Sequence, residues 1–230
     1  MDEKLHLDVN KKMEQVALEV LPEINQQIID SMCRELHASV EFYRHVLNEN
    51  LIYYSGEWNG ERFKQEFLMT SVWAIRDGRQ TEVWPNLKRT SGDLIIDCLM
   101  DMVESAKYDM NPDEIVAKGL VPKVIGVAAA TEILHKCYPQ KFPMRNKRSE
   151  WGVAQFFFDG DSSQVSQLSY SNFIKKVNIL ADSLVEFLSK KDIEVHKDCR
   201  LFLLDRIFAR MSELPSNQSS YNKVSELNEI

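Results

Sequence analysis

Between Lys136 and Arg148 the chain carries five cations, Lys136, Lys141, Arg145, Lys147 and Arg148, and no acidic residue. Clustered lysines and arginines attract phosphate, and the arginine fork can grip two phosphate oxygens at once. Directly before them, Val124-Ile125-Gly126-Val127 reads as a turn that opens an Ala-rich helix. The first amides of a helix have no partner within the helix and carry a partial positive charge, so they too suit an anion. Gly126 and Val127 at the turn, with Lys136, Lys141, Arg145, Asn146, Lys147 and Arg148 beyond it, are therefore the expected phosphate contacts. Phe142 and Trp151 are expected to anchor the basic loop and leave its cations at the surface. Trp84, beside Pro85 and close to Lys88 and Arg89, is the aromatic best placed to stack on a base.

Other residues with chemistry to offer carry less. Cys33 and His37 stand four apart, His135 and Cys137 two apart, and His196 and Cys199 three apart. Two such pairs brought together would make a four-ligand zinc site. None has the Cys-x-x-Cys spacing, and buried cysteines with incidental histidines are the expectation, so no metal and no cofactor is assigned. Asp93, Asp97, Asp101 and Glu104 read as the solvated face of a helix. Glu194-Val195-His196-Lys197 resembles half of a nuclease motif but lacks the preceding strand and Asp. No phosphate-binding P-loop, nucleophile elbow or zinc-protease motif occurs, so no catalytic residue is assigned.

The elements that must hold these residues read as helices almost throughout. Val9, Met13, Val16 and Val20 form one apolar stripe. Ile24, Ile28, Met32, Leu36, Val40, Tyr43 and Leu47 form another, predicting a long amphipathic helix over 22–49 with Pro22 in its first turn. Further helices are predicted over 61–75, stopped by Asp77-Gly78, and over 94–106. Asn111-Pro112-Asp113-Glu114 supplies a cap and first-turn Pro for the next, with Gly119 as its stop. Residues 79–92 read as irregular and 159–167 as a polar loop. Residues 153–159 fit a strand or a helix equally well. Two more helices follow, around 173–187 and 197–212. The expectation is an all-α fold, a single multi-helix domain over residues 1–214 with a flexible tail over 215–230.

With 230 residues, 44% of them apolar, the chain can bury a substantial core. Its net charge of −7 argues against indiscriminate binding to polyanions, so any nucleic-acid contact must be a local patch. The four widely spaced cysteines fit free thiols in a reducing cytoplasm. No apolar run is long enough to cross a bilayer.

The runs Ala129-Ala130-Thr131-Glu132-Ile133-Leu134, Tyr138-Pro139-Gln140-Lys141-Phe142-Pro143-Met144 and Asn146-Lys147-Arg148, followed by Gly152, resemble a segment of helical regions attached to, or encoded beside, McrB-type restriction GTPases and other phage-defence proteins. The turn at 124–127 also resembles a helix-hairpin-helix. It departs from that pattern in having Val124 where the first Gly of the turn belongs. The likeness to helix-hairpin-helix DNA glycosylases does not extend to their catalytic Asp, since Asn146 is the nearest polar residue, and their activity is not carried over. The resemblance covers about a third of the chain. It implies a DNA-binding, non-enzymatic module of a prokaryotic defence or restriction system, with a GTPase or nuclease of that system as protein partner. The alternative is a helical interaction subunit that docks an effector without touching nucleic acid.

Overall fold

The computed structural model describes residues 3–76, 83–215, 217, 218 and 221, and among these the fold is all-α. The helices run α1 (Glu3–Val20), α2 (Gln26–Val46), α3 (Gly60–Arg62), α4 (Met69–Ser71), α5 (Trp73–Arg76), α6 (Val83–Arg89), α7 (Gly92–Ser105), α8 (Pro112–Lys118), α9 (Val127–Cys137), α10 (Lys147–Phe157), α11 (Ser162–Ser166), α12 (Tyr170–Ser189) and α13 (Arg200–Glu213). Two π-helical stretches, Asn50–Tyr54 and Phe63–Leu68, lie among them. Among the described residues the only extended pairing is a bridge from Val121 to Ile125. The Asp77-Gly78 stop and nearly all of the tail over 215–230 lie outside the described residues.

The domain expected over 1–214 is built as two compact units, one of residues 1–36 and 146–230, the other of residues 37–145. In the first, α1, α10, α12 and α13 pack together. Its core takes Val9, Met13 and Ala17 from α1, Phe173, Val177 and Leu180 from α12, and Phe202, Ile207 and Phe208 from α13. Gly152 lets α10 lie directly against α13, since a Cβ there would lie 2.3 Å from the Phe208 ring. The stretch 153–159 resolves as helix, because α10 continues to Phe157. The polar loop expected over 159–167 contains a short helix, α11, capped by Asp161.

In the second unit the long helix predicted over 61–75 is broken. α3 passes through a π-helical stretch into α4, and Val72 then turns extended, with φ −85° and ψ 106°. A fresh helix, α5, begins at Trp73. Neither Gly nor Pro marks this break. Its physical reason lies in α9: Glu132 Oε1 accepts the Trp73 amide at 2.8 Å and Oε2 the Ala74 amide at 3.0 Å. A carboxylate at a helix start satisfies amides that otherwise have no partner and complements their positive end.

The segment expected to be irregular over 79–92 contains α6. Pro85 falls in its first turn, where the missing N–H costs nothing. The buried stripe of α2 is Ile29, Cys33, Leu36, Val40 and Tyr43. Over its first half it lies one residue from the stripe expected, which was Ile24, Ile28 and Met32.

Candidate nucleic-acid interface

α9 is the scaffold of the sequence-predicted site, and it is buried on every side from Ala129 to Cys137. Its polar residues are turned inward. Thr131 Oγ1 donates to the Val127 carbonyl at 2.8 Å and accepts the Arg145 amide at 2.9 Å, which ties the end of the basic loop onto the helix. Glu132 reaches α5 as above, and the Tyr43 hydroxyl stands 3.4 Å from it while donating to the Ser71 carbonyl at 2.7 Å. Burial raises the Glu132 carboxyl above its ordinary value, against the amides and the Lys136 charge, which lower it. Lys136 is only 2% exposed and holds its ammonium 4.4 Å from the centre of the Trp73 ring. His135 Nδ1 lies 2.8 Å from the Phe142 carbonyl. A carbonyl only accepts, so Nδ1 carries the proton.

This corrects the expected exposure of several predicted contacts. Lys136 is a core cation, and Arg145, 9% exposed, is buried as well. Lys136 finds an aromatic face and a carboxylate there in place of water, and the Arg145 backbone is drawn onto buried α9 by its bond to Thr131. Lys141 stays exposed, with its ammonium 3.4 Å from the Ala106 carbonyl.

Asn146, Lys147 and Arg148 belong to the other compact unit. There Asn146 caps α10 in a reciprocal box with Ser149, each side chain bonded to the other's amide at 2.9 Å. Arg148 pairs with the buried Asp205 of α13 at 3.0 Å. Phe142 and Trp151 are buried, as anchors should be. Val127, an expected phosphate contact, is 40% exposed.

Gly126 caps α9 in an extended conformation, φ −90° and ψ 178°, with no side-chain cap. The residue with positive φ in this turn is Lys123, at 61°. A Cβ on Gly126 would meet nothing within 4 Å. The turn therefore does not itself require glycine at position 126. Gly126→Val is expected to change unfolding free energy by less than about 0.5 kcal/mol, as for surface substitutions in open space. A loss of several degrees in melting temperature would contradict this.

The structure does bring together the stacking candidate and its cations. The Trp84 indole N–H donates to the Ile75 carbonyl at 2.9 Å, which fixes the ring. Lys64, itself buried, donates to the Thr90 carbonyl at 3.0 Å and so holds the C-terminal end of α6. On the helix fixed in this way Trp84, Pro85, Lys88 and Arg89 line one open hollow of about 480 Å³. Lys88 and Arg89 are exposed and form no ion pair among the described residues. An immobilised aromatic face beside two solvated cations can stack a base and neutralise its phosphate.

Sequence reasoning missed Glu132, His135, Trp73 and Lys64 as the residues that hold this unit together. The signal available was the i, i+4 spacing of Glu132 and Lys136, which also describes an ordinary solvated helix face.

Among the described residues no helix is long and apolar enough to cross a membrane. Compared with models of known protein families, with curated proteins and with solved structures, the chain matches none.

Proposed function

We propose that this protein is a nucleic-acid-binding module whose contact surface centres on Trp84, Lys88 and Arg89. The observation that carries the reading is the Trp84 hollow, where a half-exposed ring pinned by its own N–H stands beside two exposed cations that form no ion pair among the described residues. The uncapped start of α9 at Gly126 and Val127, with exposed Lys123 in the preceding turn, adds amides and a cation suited to a phosphate. The ligand that fits is a strand with accessible bases, because duplex bases are stacked away from an aromatic side chain. DNA is the proposed polymer, and the resemblance of 129–152 to helical regions beside McrB-type GTPases supplies the proposed setting, a prokaryotic defence or restriction system.

The test is fluorescence anisotropy of labelled single- and double-stranded oligonucleotides over a salt series. Trp84→Ala is expected to weaken single-strand binding by about 1–3 kcal/mol, the usual worth of one stacked base. Lys88→Glu with Arg89→Glu is expected to abolish it and, in milder neutral form, to lower the salt slope by about 0.7 per lost contact. No binding at low salt, or binding indifferent to both changes, would replace this reading with the second one. That reading is a subunit docking a protein partner. Its supporting observation is the exposed apolar set Tyr54, Leu94 and Tyr108 in the unit of residues 37–145.

A further inference from the structure

Within residues 37–145 three helices end at one hollow. α2 ends at Val46, α7 at Ser105 and α9 at Cys137. Residues in the last turns of these helices or just beyond them, Arg44, Asn48, Glu49, Glu104, Lys107 and Tyr138, line a space of about 430 Å³. Arg44 sends Nε to the Cys137 carbonyl at 2.9 Å, which holds the guanidinium at the end of α9. Its two terminal nitrogens make no hydrogen bond among the described residues. Lys107 is paired with Glu104, both of whose carboxylate oxygens lie 2.6 Å from the ammonium. Glu49 forms no ion pair among the described residues, although it borders the same space as Arg44. The Tyr138 hydroxyl donates to the Val103 carbonyl at 3.1 Å, which fixes its ring as a wall. Asn48 Oδ1 accepts the Asn50 amide at 3.0 Å, where the π-helical stretch Asn50–Tyr54 begins. Such turns are frequent at functional sites.

We propose that this hollow binds a free α-amino acid, its carboxylate on the Arg44 fork and its ammonium at Glu49. The end of a guanidinium presents two parallel N–H groups to a carboxylate, and the Cys137 carbonyl already sets the direction of this one. The side-chain charges at the hollow cancel, Arg44 and Lys107 against Glu49 and Glu104. The three helix ends add partial negative charge to that balance. A phosphate ester or a di-acid therefore meets a field of the wrong sign. A simple amine leaves the Arg44 fork unused. A molecule with both charges a few bonds apart answers both Arg44 and Glu49, and their failure to pair with each other leaves it room. Sites for small molecules usually measure about 300–1,000 Å³, and a space of this size admits no folded partner. Asn48, Asn50 and the Lys107–Glu104 pair offer donors and acceptors to the remainder of the ligand. They suit a polar side chain without net charge, such as that of glutamine. The site uses none of Trp84, Lys88 and Arg89 and stands whatever those residues bind.

The experiment titrates the full chain with L-glutamine by isothermal titration calorimetry, and one molecule is expected to bind per chain. Two analogues separate the charges. N-acetyl-L-glutamine lacks the ammonium and L-glutaminamide lacks the carboxylate. Each is expected to bind about 10- to 100-fold more weakly than L-glutamine, the usual worth of a hydrogen-bonded charge. Arg44 and Glu49 are exposed, so Arg44→Gln and Glu49→Gln are expected to keep the circular dichroism of the parent and to lose affinity by a similar factor. The variants should also lose discrimination, each for its own group. Arg44→Gln is expected to bind L-glutamine and L-glutaminamide alike, and Glu49→Gln to bind L-glutamine and N-acetyl-L-glutamine alike. Failure of the parent to bind L-glutamine at millimolar concentration would overturn the proposal. So would equal affinity of the parent for L-glutamine and either analogue, a comparison that needs no variant to fold. Binding of L-glutamine that both substitutions leave unchanged would place it elsewhere and overturn the proposal as well.

Discussion

Lys136→Met is expected to cost about 3–5 kcal/mol of unfolding free energy, enough to leave a domain of ordinary stability barely folded. Lys136 belongs to the basic run that suggested phosphate contact, yet only 2% of it is exposed. Its ammonium lies over Trp73 and lowers the pKa of the buried Glu132. Removing the cation leaves a carboxylate in a dry interior with two amide donors and no opposing charge. Leaving one partner of a buried pair costs far more than the pair contributes when intact. The double variant Lys136→Met with Glu132→Gln is the control. A Gln carbonyl still accepts one of the amides of Trp73 and Ala74 and needs no cation. The double variant is therefore expected to be more stable than the sum of the single changes predicts, by about 1–3 kcal/mol. Urea unfolding followed by circular dichroism measures all four proteins. A loss below about 1 kcal/mol in Lys136→Met, or strict additivity in the cycle, would show that Lys136 is not the counter-charge of Glu132.

Sequence periodicity was a good guide to the existence of helices and a poor one to what their polar residues do. The cap at Asn111 is there as read, its side chain accepting the Asp113 amide at 3.0 Å. The stripes Val9–Met13–Val20 and Leu36–Val40–Tyr43 are buried as read. These features depend on neighbours three or four residues away, which a sequence displays directly. The break at Val72 depends on Glu132, sixty residues later, and no local residue announces it. The basic run was legible as a cluster of cations but not as a surface, because burial of Lys136 and Arg145 is set by the helices around α9. Trp84, Lys88 and Arg89 were legible as neighbours for the opposite reason. One short helix carries all three, although the Trp-Pro pair disguised it as irregular chain. The Cys and His pairs were each visible, while the hydrogen bond of Cys33 with Cys199 exists only once α2 and the segment before α13 are folded together.

His135 leads to the second large effect, in the dependence of stability on pH. Burial foremost, and then the neighbouring Lys136 charge, push its pKa down from 6.5 to about 4, against the Phe142 carbonyl, which raises it. The folded state therefore resists protonation more than the unfolded chain does. Between pH 6.5 and 4 the unfolded chain binds more protons at this site, so stability rises with pH across that window. The contribution is complete above about pH 6.5 and is lost as pH falls toward 4. The gap between the two values corresponds to about 3 kcal/mol, at 1.36 kcal/mol for each pH unit. Glu132 acts with the opposite sign. Its raised pKa means that the folded state takes up a proton before the unfolded chain does, which offsets part of the loss on acidification. The comparison that isolates His135 is therefore between the parent and His135→Gln, whose side-chain N–H can still donate to the Phe142 carbonyl. The variant is expected to be less stable than the parent at pH 7. It is expected to lose less stability on acidification, by about 1.4 kcal/mol per pH unit between 6.5 and 4.5. Urea unfolding at pH 7, 6, 5 and 4.5 measures the two slopes. Parallel curves for parent and variant would mean that His135 titrates as an ordinary exposed imidazole, which would contradict its place beside Lys136 in the core.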